Sequence, residues 1–447
     1  MNKLATPDCQ TIKSCVQMRY HASKSLAALG LLCFHFAATA GSLTDAGYGT
    51  ESTLMGGADI AVARDSFAIN TNPAGLIQLT GKAMDIHAIV FDSQGKHTDN
   101  NGNYRHQQKN QFGLIGEFGY AQRAPDSPFA YGVNFVVQGG LGWTYRNLNT
   151  AFGTRDEASS LFSIVRLAPG FAYKVSDRLS FGAALDINYS SGSQSLFPNT
   201  SAAPSAQFPQ GFSGITVKDL SGNSLSAKFG MQYRPLEDVV LAVVYSSKTK
   251  LPLKNGIMRV NYTNTIPGEG IVRYDNAEIN GFALPAVIAF GVSFRPRQDL
   301  LISLQDQFED MSKAIGSATL TAKNPRTTNP LVPKTISNTT NTGAFGQHVY
   351  SIGAAYDWSD QTLLYLGWTY HRRPVPEQNL SATFQPIQQS HVMIGFQHQL
   401  GPEWSVAAGI ERIAHQMVTY NNPLTPFGPS VASHTGTPMH LQFSRRW

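Results

Sequence analysis

Past residue 40 the 447-residue chain contains no cysteine: Cys9, Cys15 and Cys33 all fall in the first forty positions. Disulfides, thiolate metal sites and cysteine nucleophiles are thereby excluded from the remainder. Charge is scarce as well, with only 14% Asp, Glu, Lys and Arg. No run of 18 apolar residues occurs after position 40, so membrane-spanning helices are excluded. Missing too are a Gly-x-Ser-x-Gly elbow or Gly-Asp-Ser-Leu block that would turn Asp65-Ser66 into hydrolase machinery. The twelve histidines show no metal-ligand spacing; His391 and His398 lie seven apart on one segment and so face opposite ways. Gly139-Gly140-Leu141-Gly142 has no helix after it and is no phosphate loop. No metal, cofactor or enzymatic activity is expected.

What the chain does have is alternation. From Leu179, the residues Leu179, Phe181, Ala183, Leu185, Ile187 and Tyr189 share one face, while Ser180, Gly182, Ala184, Asp186 and Asn188 share the other. Successive side chains of a strand point to opposite faces, so this is a strand with one apolar side. The pattern recurs at Leu225, Ile288, Tyr350, Leu364, Val392 and Trp404 and the residues that follow each, with aromatics toward the strand ends. Six short turns rich in Asp, Glu, Pro or Gly alternate with seven long Ser/Thr/Asn/Gly/Pro-rich stretches, roughly residues 93–110, 140–161, 190–224, 250–280, 309–346, 373–388 and 415–435. Fourteen strands result, with both ends on the short-turn side. The expected fold is all-β: a 14-stranded antiparallel outer-membrane β-barrel.

The start of the chain reads as a signal peptide over residues 1–40. Arg19 and Lys24 precede an apolar stretch, and Ala38-Thr39-Ala40 supplies the small-x-small cleavage pattern. Translation from Met18 instead of Met1 would give a leader of ordinary length. Removing its four Lys/Arg and one Asp leaves 30 basic against 28 acidic residues, a balance that does not point to nucleic acid. Met439, Leu441, Phe443 and the terminal Trp447 alternate in the manner of the C-terminal signal read by the barrel assembly machinery; Arg445 departs from it.

Residues 41–82, ahead of a barrel at 83–447, do not alternate. They hold Gly56-Gly57-Ala58-Asp59, an apolar stretch from Ile60 to Ala63 and the turn Asn72-Pro73-Ala74. Glycine-punctuated short helical turns of this kind suit a plug in the barrel lumen better than a flexible tail. The segment resembles the N-terminal hatch of the FadL/TodX (OMPP1) family of outer-membrane transporters of long-chain fatty acids and other hydrophobic compounds. The likeness continues at Leu284-Pro285 and at Pro374-Val375-Pro376-Glu377-Gln378-Asn379. It implies passive uptake by a monomeric barrel among outer-membrane lipid and lipopolysaccharide: a ligand such as a fatty acid or aromatic hydrocarbon enters a pocket beside the hatch and leaves sideways through a gap at a kinked third strand. Gly139, Gly140 and Gly142 are the kink candidates, since glycine bends and interrupts ladders; a glycine-rich loop entrance is the plainer alternative.

Phe67, Ile69, Leu76 and Ile77 are the hatch residues expected to touch a hydrophobic ligand, unless they only pack the hatch against the wall. Arg64 and Lys228 are the candidate cations for a carboxylate, unless they pair with Asp186 or Glu411. The competing functions are a general diffusion porin, which would constrict with charged clusters and lack a hatch, and an outer-membrane lipase, whose motif is absent.

Overall fold

The computed structural model describes residues 46–63, 65–108 and 112–447; the expected signal peptide and Arg64 lie outside them. Fourteen antiparallel strands follow the plug segment. They are β1 (Gly81–Asp99), β2 (Phe112–Arg123), β3 (Phe129–Asn149), β4 (Arg155–Ser176), β5 (Leu179–Ala202), β6 (Phe212–Leu236), β7 (Val239–Ser246 and Leu253–Asn261) and β8 (Ile271–Asn280 and Val287–Arg297). Then come β9 (Leu300–Glu309 and Ser317–Pro325), β10 (Thr335–Asn341 and Gln347–Ser359), β11 (Thr362–His371), β12 (Ser390–Gln399), β13 (Trp404–Tyr420) and β14 (Ser430–Gly436 and Met439–Arg446). Each pairs with its sequence neighbours, and β14 returns to β1, with Ile86 opposite Phe443 and Gly95 opposite His434. The sheet closes on itself into a ring.

The alternation sets which way each strand faces. On β5, Phe181, Leu185, Ile187 and Tyr189 are exposed on the outside, while Ser180, Ala184, Asp186 and Asn188 are buried inside. Ile288, Phe290, Leu366, Trp368, Ile394 and Phe443 continue the same outer belt on other strands. An apolar band of that extent is stable against lipid and not against water. Arg445, the departure from the terminal pattern, lies 5.4 Å from the Trp404 ring centre and 4.8 Å from that of Trp447 while bonding Glu403. Its stem covers apolar surface and its head stays at the polar border.

Two features differ from the sequence-based expectation. Much of what reads as long loop is strand: β3 to β6 run on to Asn149, back from Arg155, out to Ala202 and back from Phe212. Conversely, β7 to β10 all break midway. Thr249–Lys250 and Ala283–Leu284 pair with each other instead of with the barrel wall, and a short helix, α3 (Met311–Ile315), fills the break in β9. Leu251, Leu284, Met311 and Ile315 thereby join Trp143, Tyr145, Phe197, Val375, Leu380 and Phe427 in one buried apolar cluster.

Candidate ligand cavity and lateral gap

Inside the ring lie two short helices, α1 (Thr50–Leu54) and α2 (Ala68–Thr71), and a 3-10 turn over Pro73–Gln78. They sit so close to the wall that inward glycines are required. A Cβ on Gly182 would lie 2.3 Å from the Ala74 nitrogen, one on Gly353 2.4 Å from the Met55 carbonyl oxygen, and one on Gly409 2.3 Å from the Leu54 side chain. Asn72 fixes the turn. Its Oδ1 accepts from the Ala74 N–H at 3.1 Å, and its Nδ2 donates to the Ile60 carbonyl at 2.7 Å. Pro73 takes the first position of the 3-10 turn, where a missing N–H costs nothing. Ser180 on β5 donates to the Ala74 carbonyl at 3.2 Å, and Arg123 on β2 to that of Ile77 at 2.7 Å.

Above this plug is a cavity of about 150 Å³. Ile60, Ile89, Phe91, Val244, Leu284 and Ile413 supply apolar lining. One side carries two buried cations. Arg166 on β4 is 3.2 Å from Asp186, donates to Asn188 at 2.9 Å and reaches Asn70 of the plug at 3.2 Å. Lys228 on β6 donates to the Asn70 carbonyl, its only hydrogen-bond acceptor among the described residues. An ammonium has three donors, so Lys228 retains capacity for an anion. The opposite side carries His391, Glu411 and His440, with His391 donating to Glu411. Within the plug, burial pushes the Asp59 carboxyl up to about 6, although a hydrogen bond from Ser52 and the Lys228 charge oppose the rise. Burial and the neighbouring Asp85 likewise raise Asp65 well above the usual carboxylate range.

The wall has a gap next to the plug. β2 pairs with β1 along its whole length, yet with β3 only from Phe118 opposite Phe135 to Gln122 opposite Tyr131. Among the described residues, Val136 and Val137, which follow Phe135 on β3, have ladder partners on β4 only. The β3 register shifts between Val137 and Gly139, leaving Gln138 as an extra residue, and Gly139 has φ 149°. This is a β-bulge, which bends its strand away from a neighbour. Tyr48 of the plug donates to the Gln138 carbonyl at 3.2 Å, and Gly49 donates to Glu117 on β2 at 3.3 Å. Tyr48 and Gln138 also line the cavity, so cavity and gap adjoin.

The residues singled out from sequence fall into separate places. Asn72, Pro73 and Ala74 hold the plug to β5 and β6. Ile69 and Leu76 are fully buried among Ala121, Ala130, Ala168, Ala172 and Ala184 of the wall, and half-buried Ile77 packs beside them. Phe67 packs with Tyr48 and Val136. None of these four lines the cavity; the plug's contribution there comes from residues such as Tyr48, Ile60 and Asn70. Lys228 does line it. Gly139, Gly140 and Gly142 follow the bulge on β3. Leu284 and Pro285 line the cavity, and Glu377–Asn379 forms a 3-10 turn. Arg166 and the histidines were missed, because residues adjoining across strands leave no spacing signal within one segment.

A closed antiparallel ring with an apolar outer belt, an N-terminal segment packed on its inner wall and an internal cavity defines an outer-membrane β-barrel. The chain belongs to the outer membrane protein transport protein family (OMPP1/FadL/TodX), whose model matches residues 36–436. Similar solved structures include the Pseudomonas putida toluene transporter TodX, at 17% identity, TM-score 0.72, and coverage of 91% of this chain and 100% of that one. The Ralstonia pickettii toluene transporter TbuX is 16% identical with a TM-score of 0.70, covering 90% and 99%. A Pseudomonas aeruginosa FadL homologue is 17% identical with a TM-score of 0.72, covering 92% and 99%. No curated protein matches the chain in sequence. The protein is thus an outer-membrane transporter of hydrophobic compounds.

Proposed function

We propose that the transported compound is a hydrophobic carboxylic acid, held at the cavity with its carboxylate on Lys228 and Arg166 and released sideways between β2 and β3. The observation that carries this reading is Lys228: a buried cation facing a cavity, with one carbonyl as its hydrogen-bond acceptor and Asp59 and Asp186 as neighbouring carboxylates. A bound carboxylate gives the remaining ammonium donors a charge-assisted hydrogen bond that a hydrocarbon cannot supply. The end of the described β2–β3 pairing beside the cavity supports the lateral step. A greasy solute that leaves through the wall never re-enters water.

Cavity size favours a second reading, an uncharged single-ring hydrocarbon, since a void of about 150 Å³ is the size that takes up benzene. A long alkyl chain would extend beyond it toward the gap. Equilibrium binding to the purified barrel, with radiolabelled laurate and toluene as probes, separates the two. Lys228→Met is expected to weaken laurate about tenfold to a hundredfold, the worth of one charged hydrogen bond, and to leave toluene unchanged. Tight toluene binding with no laurate binding would establish the second reading instead.

A further inference from the structure

Four titratable side chains that the transport reading does not use form a buried row across four neighbouring strands. Glu117 (β2) Oε2 is 2.8 Å from His87 (β1) Nδ1. His87 Nε2 is 3.3 Å from His440 (β14) Nδ1, their rings stacked with centroids 5.4 Å apart. His440 Nε2 is 3.4 Å from Glu411 (β13) Oε2. His440 and Glu411 border the cavity, whereas Glu117 stands at the first residue of β2 beyond its pairing with β3. Glu117 Oε1 has no hydrogen-bond partner among the described residues. Phe67 of the plug lies edge-on over His87, with centroids 6.3 Å apart, and covers the middle of the row.

We propose that this row is a proton relay which neutralises the acidic ligand between the cavity and the lateral gap. The inference rests on the carboxylic-acid reading above. Its physical ground is that a carboxylate cannot enter hydrocarbon cheaply while the neutral acid can. The row admits two proton arrangements, each completed when His440 Nε2, which has no hydrogen-bond partner among the described residues, closes its 3.4 Å approach to Glu411. In one, Glu117 is ionised, His87 carries its proton on Nδ1 and donates it to Glu117, and His440 is an imidazolium donating to both His87 and Glu411. In the other, the Nδ1 proton of His440 has moved to His87 Nε2 and the Nδ1 proton of His87 to Glu117. The row then reads as neutral Glu117, two neutral imidazoles and ionised Glu411. From this second state the Glu117 O–H bond breaks as the ligand's O–H bond forms, so that ligand carboxylate plus Glu117 acid gives ligand acid plus Glu117 carboxylate. The row resets when hydronium protonates Glu117, that proton passes to His87 Nδ1 and the His87 Nε2 proton passes to His440 Nδ1, which restores the ionised Glu117, the first His87 tautomer and the His440 imidazolium. Other titratable groups facing the row are Asp85 beside His87, and His391 and His371 beyond Glu411.

The test is proton uptake on ligand binding, measured by titration calorimetry of the detergent-purified full chain in two buffers of different ionisation enthalpy. The probes are laurate and methyl laurate. The wild type is expected to take up about one proton per laurate bound and none with the ester, by the linkage of binding to protonation. His87→Asn and, independently, Glu117→Gln are expected to abolish the uptake, and to slow laurate transport about tenfold or more relative to the ester, as a shift of one pKa unit would. Two variants guard against one that fails to assemble. Laurate binding without proton uptake in the wild type, or uptake unchanged in both variants, overturns the relay. Equal slowing of acid and ester does too, since it marks a merely structural role. If the ester binds and laurate does not, the acid reading falls together with the relay while the transport reading stands.

Discussion

At the residue scale, the absence of a side chain matters as much as its presence. Gly182 admits the Pro73-Ala74 backbone to within 2.3 Å of where a Cβ would stand, and backbone cannot swing away as a side-chain tip can. Gly182→Ala is therefore expected to unseat the Asn72-Pro73-Ala74 turn without breaking the β5 ladder. Single-channel conductance in planar bilayers should rise while heat-modifiable gel mobility is retained, and unchanged conductance would contradict the seating. Asp59 gives the plug a pH dependence of definite sign. With its carboxyl raised from 3.8 to about 6, the neutral form is the one that fits the site. That stabilisation is fully present below pH 4 and is lost as pH rises through 6, on the order of 3 kcal/mol by pH 7. Plug opening should accordingly increase between pH 4 and pH 7 in the wild type, and Asp59→Asn should remove this component of the change. An Asp59→Asn conductance that still climbs as the wild type does would assign the dependence elsewhere.

At the scale of single elements, β3 carries the most consequence. One extra residue, Gln138, shifts its register on β4 just beyond the last described β2–β3 pair, Phe118 opposite Phe135. Deleting Gln138 should realign the strand, extend the β2–β3 ladder and close the gap. Uptake of hydrophobic probes should fall severalfold or more with assembly intact, and a deletion variant that transports at the wild-type rate would show that the bulge does not gate passage. The strands were legible because lipid outside and polar groups inside impose a strict period of two. Their outer continuations were not legible, because beyond the bilayer both faces of a hairpin meet water or loops and Ser/Thr/Asn-rich segments lose the period. The breaks in β7 to β10 were hidden for a related reason: apolar residues such as Leu251 and Leu284 face an internal cluster instead of lipid, and hydrophobicity does not distinguish the two. The glycines of β3 stood out in the sequence, but Gln138 did not, since a bulge is a property of two strands in register.

Across the whole molecule, register assembles the site from residues that sequence keeps apart. Glu117, His87, His440 and Glu411 come from both ends of the chain and adjoin because ring closure sets β14 against β1. Arg166 meets Asp186 and Asn70 in the same way. Motif reasoning could reach Asn72-Pro73-Ala74, which is contiguous, and Lys228, which sits on the polar face of an alternating strand. It could not reach partners whose proximity depends on shear. The central claim, that ligand leaves through the wall between β2 and β3, is open to a direct test because the described residues contain no cysteine. Gly116 faces outward on β2 at the gap, with nothing within 4 Å of its would-be Cβ. The decisive measurement is the initial rate of laurate and toluene uptake by a Gly116→Cys barrel before and after labelling with a bulky lipid-soluble maleimide. A Leu366→Cys barrel, labelled on the exposed face of β11, serves as control. Labelling Gly116→Cys is predicted to abolish most uptake while leaving ion conductance and the control unaffected; uptake at the unlabelled rate from a fully labelled barrel would contradict lateral release.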